Sequence, residues 1–163
     1  MMVFELPFLE KQYTKRDAFV LMECDSERYS NSNQILASFS LWKKSDFTLK
    51  FVNDWLQYAQ NERIITDIKN DCGFPDFDEF IDHRHDQSIF SLLSKKYDLK
   101  VYRNPSEHGN EYKAVYQNSK YDQLIVHTRK KNSWILVVDI IDKFLFKFNF
   151  IWRRFVNIFR FNS

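Results

Sequence analysis

The apolar positions of this chain fall into a few periodic stretches separated by polar runs. Ile35, Ala37, Phe39 and Leu41 alternate with Leu36, Ser38, Ser40 and Trp42, the period of a strand with one more polar face. Phe47, Phe51, Val52, Trp55, Leu56 and Ala59 recur at helical spacing. Ser45 stands before them as a cap and Asp46 lies in the first turn, which predicts an amphipathic helix over 46–60. Ile89, Phe90, Leu92, Leu93 and Tyr97 predict a second helix over about 86–97.

Shorter runs are read by length and flanking charge. Ala18-Phe19-Val20-Leu21-Met22 is a continuous apolar run bounded by charges and suits a short strand buried on both faces, with a helix start as the alternative. Residues 3–10 are apolar but interrupted by Pro7, which predicts a loop or edge piece. Leu99, Val101 and Tyr102 predict a short strand, and residues 123–127 another. Residues 26–33 and 104–117 read as polar loops. Residues 61–82 read as a long loop around Ile64-Ile65, of a length that is often functional.

The last segment has the clearest geometry. Placed on a helix of about 100° per residue, 139–160 gathers Asp139, Asp142, Lys143, Lys147, Asn149, Arg153, Arg154, Asn157 and Arg160 into an arc of roughly 160°. The opposite face is apolar and aromatic. Such a helix suits a membrane interface, or packing on the domain or on a second copy. Charges every few residues rule out a transmembrane span.

Composition narrows the class. With 163 residues, 44% hydrophobic and 28% charged, the chain is a folded domain. Only 2 Gly occur, which argues against a P-loop or a Rossmann fingerprint. Residues 129–163 hold eight Lys and Arg against two Asp, a net +6 within a whole-chain +2, so the remainder is −4. A basic tail on a mildly acidic body points to an anionic surface. Its one-sided charge favours membrane lipid over nucleic acid. Cys24 and Cys72 fit no zinc motif and form no disulfide framework, which suits a reducing cytosol. The N-terminus has no basic n-region followed by a long apolar run, so no signal peptide is expected.

Candidate chemistry concentrates at His83-Arg84-His85-Asp86-Gln87-Ser88, a polar run leading directly into a buried helix. Asp86 serves either as the helix N-cap or as a general base or sugar-contacting carboxylate, and the roles are compatible. Glu23-Cys24-Asp25 is an acidic pair at an expected strand end, either a ligand pair or a solvated terminus. His83, His85 and Asp86 superficially suggest a metallohydrolase, but the spacing is wrong. No G-x-S-x-G elbow occurs.

Several runs together resemble the C-terminal half of bacterial glycosyltransferases found with capsule and lipopolysaccharide sugar genes. They are Thr14-Lys15-Arg16-Asp17-Ala18-Phe19-Val20-Leu21, Asn33-Gln34-Ile35-Leu36-Ala37-Ser38-Phe39, Trp55-Leu56, Ile64-Ile65-Thr66-Asp67 and the histidine run 83–88. The resemblance spans about residues 3–131. It implies an α/β fold, a partial GT-A-like sheet of the nucleotide-diphospho-sugar transferase type with flanking helices, with 1–131 as acceptor-side domain and 132–163 as a basic aromatic helix. It further implies transfer of a hexose from a nucleotide sugar to a surface-glycan precursor. Asp86 takes the catalytic role, and Gln34, Arg84, His85 and Gln87 line the substrate. Arg129 and Lys130 face the diphosphate, and His127 holds a divalent metal, Mn²⁺ or Mg²⁺. The donor-binding half with its D-x-D motif is expected to precede Met1, which makes the chain half of an enzyme, completed by an N-terminal half or a homo-oligomer, or a truncated product. The expected place is the cytoplasm, peripherally at the inner membrane face. The competing reading is a non-catalytic remnant or partner subunit that binds membrane or another chain through 139–160.

Overall fold

Pro7 sits in the middle of the central strand of the sheet. β1 (Met2–Leu9) pairs antiparallel with β2 (Asn33–Leu41) on one side and parallel with β3 (Val101–Arg103) on the other, giving the order β2-β1-β3. Proline lacks the N–H that a ladder needs, and the register of β1 against β2 slips between Glu5 and Leu9, the interval that holds Pro7. β3 touches only Val3, Phe4 and Glu5, before the proline. The loop or edge piece expected over 3–10 is therefore corrected to a central strand, made possible by a register shift.

The computed structural model describes residues 1–112, 119 and 121–126. They all belong to one compact unit, Met1–Val126. Among them the protein is a small α/β fold with a three-stranded mixed sheet and six α-helices. These are α1 (Glu10–Tyr13), α2 (Arg16–Leu21), α3 (Glu27–Ser30), α4 (Asp46–Ala59), α5 (Glu62–Ile65) and α6 (His85–Lys96). A 3₁₀ helix, Glu107–Tyr112, follows β3 in the expected polar loop. No helix among the described residues is long and apolar enough to cross a membrane. The helix expected at 139–160 lies outside the described residues.

The run expected as a strand at 18–22 is helical. Ala18 and Phe19 are fully buried in α2, and Met22 and Cys24 close the turn through N–H bonds to Ala18 and Phe19 carbonyls at 3.0 and 2.7 Å. Five consecutive apolar residues carry no period that separates strand from helix. Glu23 adopts a left-handed backbone (φ 56°) and ends the element. Glu23 and Asp25 then part: Asp25 pairs with Arg16 at 3.0 Å, while the exposed Glu23 lies 3.5 Å from Lys96. With no strand end beneath it, the acidic pair does not converge.

α4 begins as expected. The Ser45 hydroxyl accepts the Thr48 N–H at 3.3 Å, and the Thr48 hydroxyl accepts the Ser45 N–H at 3.0 Å. Phe51 is buried and Trp55 packs against the core, but Phe47, Val52 and Leu56 stay exposed. The core lies between the sheet, α2, α4 and α6, built from Val3, Phe19, Ile35, Phe51, Ile89, Phe90 and Leu93 with their neighbours. Burying each such side chain contributes about 1.5–3 kcal/mol. The strand expected at 123–127 reduces, over its described part, to one parallel bridge between Ser106 and Ile125.

Two buried carboxylates organise the layer beside the sheet. Glu10 is fully buried and accepts from the Thr14 hydroxyl at 2.6 Å, from the Ser91 hydroxyl and from the Lys95 ammonium. It ties α1 to the middle of α6. Asp17, also fully buried, accepts from the Arg63 guanidinium at 2.9 Å and from the backbone N–H groups of Asp71 and Cys72 at 3.0 and 2.9 Å. A buried charge is tolerated when it is paired and fully hydrogen-bonded, and both residues meet that condition.

Candidate functional site

The histidine run meets the start of the chain at the N-terminus of α6. The Arg84 N–H donates to the Tyr13 carbonyl at 3.1 Å, and the Ser88 hydroxyl donates to the same carbonyl at 2.7 Å. The Arg84 guanidinium lies 3.7 Å from the Tyr13 ring centroid and 5.1 Å from that of Phe8. This stacking suits the planar, weakly hydrated guanidinium.

Gln34 joins β2 to this corner. It is fully buried, and its carboxamide oxygen accepts from Arg84 Nη1 at 3.0 Å and from Gln87 Nε2 at 2.8 Å. Its amide nitrogen donates to Glu10 and to the Tyr13 carbonyl, both at 3.5 Å. The structure thus brings together three of the residues expected to bind substrate. It also gives Gln34 a different task, since all its hydrogen-bonding capacity is used inside the protein. Gln34 positions Arg84 and Gln87, which are half-buried and reach the surface.

His83 and His85 have separate roles. His83 is buried, donates through Nε2 to the Ile64 carbonyl at 2.7 Å and accepts the Lys15 N–H on Nδ1 at 3.3 Å. Burial drives its pKa down to about 4, so the imidazole is neutral. Both nitrogens are engaged by backbone, and the metallohydrolase set of His83, His85 and Asp86 has no free lone pair at its first member. His85 is exposed and adopts a left-handed backbone (φ 47°), uncommon for a non-glycine residue and found at functional and turn positions. Its Nδ1 bonds the Ile65 carbonyl at 2.9 Å, and its Nε2 lies 3.6 Å from Asp67.

Asp86 is not the cap. Arg84 takes the N-cap position, and Asp86 sits in the first turn, where a carboxylate gains from the helix dipole. The helix begins at His85, one residue before Asp86, so Asp86 already lies inside the first turn. The Asp86 side chain is exposed, with no hydrogen bond to any described residue, and its carbonyl accepts from the Trp55 indole at 3.3 Å. An exposed carboxylate beside a half-exposed tryptophan remains available to a ligand. His127, Arg129 and Lys130 lie outside the described residues.

Next to this corner the stretch 66–83 folds into a cleft of about 610 Å³. The length of this loop is legible in the sequence, and the cleft is not. Its order comes from partners more than fifty positions away: Lys15 donates to the Thr66 and Ile68 carbonyls, the Arg16 N–H to Asp76 at 2.6 Å, and the Asp17 N–H to Asn70 at 3.0 Å. The Ile81 and Asp82 N–H groups donate to the Gln12 carbonyl at 2.8 and 3.3 Å. Only the run of Asn, Asp, Gly and Pro in the sequence hinted at it.

Compared with family models, with curated proteins and with solved structures, the chain matches none.

Proposed function

We propose that the chain is the acceptor-side part of a glycosyltransferase of GT-A-like architecture, moving a hexose from a nucleotide sugar to a surface-glycan precursor. The observation that supports this reading is the union of Gln34, Arg84 and Gln87, with the exposed Asp86 side chain unpartnered among the described residues at the start of the same helix. Two residues from the strand-and-helix pair that the resemblance marks are joined by hydrogen bonds across 50 residues of sequence.

In this reading Asp86 accepts the proton of the acceptor hydroxyl as its oxygen bonds to the anomeric carbon. The carbon–oxygen bond to the nucleoside diphosphate breaks, and the diphosphate leaves with the electron pair. Arg84 and Gln87 hold sugar hydroxyls in geometry fixed by Gln34. His85 adds a donor at the rim. Arg129 and Lys130 would offset charge on the diphosphate, and a divalent cation at His127, Mn²⁺ or Mg²⁺, would do the same. Among the described residues no three His, Cys, Asp or Glu side chains lie close enough to hold that ion, and no step above depends on it. An N-terminal half, or another copy of the chain, would complete the donor site. The basic segment 139–160 would hold the protein at a membrane surface where lipid-linked acceptors are found.

The test is melting of the purified full chain against a panel of nucleotide sugars with and without Mn²⁺, followed by transfer assays on the donor that binds. Ligands of the folded state raise the melting temperature by mass action. A donor-specific rise, with transfer lost in Asp86→Asn, supports the enzyme. A folded chain that shifts with no donor is not a stand-alone enzyme, and is either a half-enzyme that needs its donor-binding half or a non-catalytic subunit.

A further inference from the structure

We infer that the cleft formed by residues 66–83 binds an uncharged oligosaccharide. The inference goes beyond the proposed reaction and uses none of the residues assigned to it. It stands on the volume, lining and rigidity of the cleft.

At about 610 Å³ the cleft falls within the range of small-molecule sites. Asp67, Asp76 and Asp82 line it with Asn70, and so do Lys15 and Lys69. Lys15 is only 3% exposed, and its ammonium is already bonded to the Thr66 and Ile68 carbonyls. Three carboxylates face two ammoniums, and the Arg16 guanidinium over Phe74 is paired with Asp25, so the lining holds no excess of positive charge for an anionic ligand. The carboxylates do not form an ion cage, because no trio of acidic, His or Cys side chains among the described residues is close enough to share a cation. Acceptors spread around a cleft suit hydroxyl donors spread along a sugar.

The rim supplies the apolar half of the pattern. Ile68, Phe74 and Ile81 are 41%, 53% and 63% exposed, large apolar side chains set among the carboxylates. Sugar rings carry hydroxyl edges and C–H faces, and such a mixture of acceptors and apolar surface matches both. The bonds from residues 12–17 to this stretch hold the cleft in shape before any ligand arrives, which lowers the ordering cost of binding.

The test uses the isotope-labelled full chain, titrated with gluco-, galacto- and manno-oligosaccharides, with a galacturonate trimer and with a Lys/Arg-rich peptide, reading amide shifts. At least one uncharged saccharide is expected to shift the amides of 67–82. Asp82→Ala and Phe74→Ala, both exposed positions, should each weaken it about 5- to 10-fold, the loss of one contact. The galacturonate trimer should bind at least about 10-fold more weakly than its uncharged counterpart. Shifts at 67–82 from the uronate or the basic peptide in preference to every uncharged saccharide overturn the inference. So does the lack of any saccharide shift at about 10 mM, well above the millimolar affinities of weak sites. A nucleotide-sugar response that vanishes in Asp86→Asn reports on the transfer reaction instead, so the two proposals fail separately.

Discussion

The Nδ1 of His83 accepts the backbone N–H of Lys15, a bond made across 68 residues of sequence. With Nε2 donating to Ile64, the neutral imidazole fastens the start of α2 to α5 and to the entry of α6. Burial first, and the nearby His85 and Lys15 charges, lower its pKa from 6.5 to about 4, against the opposing Ile64 bond. A depressed histidine pKa means that the unfolded chain takes up the proton first. Stability should be full above about pH 6.5 and should fall as pH drops towards 4, by up to about 3 kcal/mol. Urea unfolding at a series of pH values measures this. In His83→Ala the decline over that window should vanish, while stability at pH 7 drops by about 2–4 kcal/mol.

Asp17 should behave in the opposite sense. Burial alone would raise its pKa, but bonds from Arg63, Cys72 and the Asp71 and Cys72 amides outweigh it and hold the value near 2. Its stabilising contribution is present above pH 3.8 and is lost as pH falls towards 2. Asp17→Asn should cost about 2–3 kcal/mol, less than a fully buried pair because Arg63 is partly exposed. The damage should centre on Arg63, whose guanidinium meets an amide donor in place of its acceptor oxygen, while the remaining carboxamide oxygen can still serve the Asp71 and Cys72 amides; hydrogen exchange at those amides checks this.

Transfer and stability should separate within the α6 corner. Asp86→Asn neutralises an exposed carboxylate without partners among the described residues, so stability should fall by no more than the helix-dipole contribution of about 0.3–1 kcal/mol while turnover falls about 10²- to 10⁴-fold. Gln34→Leu should do the reverse in part. It leaves Arg84 and Gln87 without their shared acceptor, lowers stability by about 1–3 kcal/mol and weakens substrate binding. Steady-state kinetics beside thermal melts distinguish the two.

The two thiols should differ in reactivity. Cys24 is fully buried, and burial pushes its pKa up to about 11, so thiolate is scarce at pH 8. Native protein should leave Cys24 unlabelled by a thiol reagent, with any fast modification confined to the half-exposed Cys72. Labelling of both thiols should require denaturant. Peptide mapping after timed quenching gives the answer.

Gly109 should not accept a side chain. A Cβ there would stand 1.8 Å from the Asn104 carbonyl oxygen, a backbone atom. The Gly109 carbonyl also accepts from Arg103 at 2.9 Å, within a buried guanidinium site completed by the Ser119 and Tyr121 carbonyls. Gly109→Ala should therefore lower stability by about 1–3 kcal/mol, measurable by denaturant titration.

What could be read from the residues followed local periodicity. α4 and its Ser45 cap, β2, α6 and β3 each carry their signal within a dozen positions, and all are present. The α/β class follows from them. β1 was hidden because Pro7 argues against a central strand, and only the register shift reconciles the two. α2 was hidden because five apolar residues in a row have no period. At the site, Arg84, Gln87 and Gln34 were legible as a group, but the role of Gln34 depends on donors far away in sequence. Glu10 and Asp17 carry no local signal of burial in the sequence. Their partners Ser91 and Cys72 are 81 and 55 positions distant, and no local pattern foretells such bonds.

The placement of β1 sets an order of events during synthesis. Of the three strands, the earliest in sequence is the middle strand of the sheet, and both neighbours come from later sequence, β2 at Asn33–Leu41 and β3 at Val101–Arg103. Glu10 likewise waits for Lys95. Until then an apolar strand and a carboxylate destined for burial are held in nascent chain with nothing to close upon, and closing so large a loop is slow. The sheet therefore closes around β1 only after about residue 103 has been made, and until then one edge of the strand stays open to pairing with other chains.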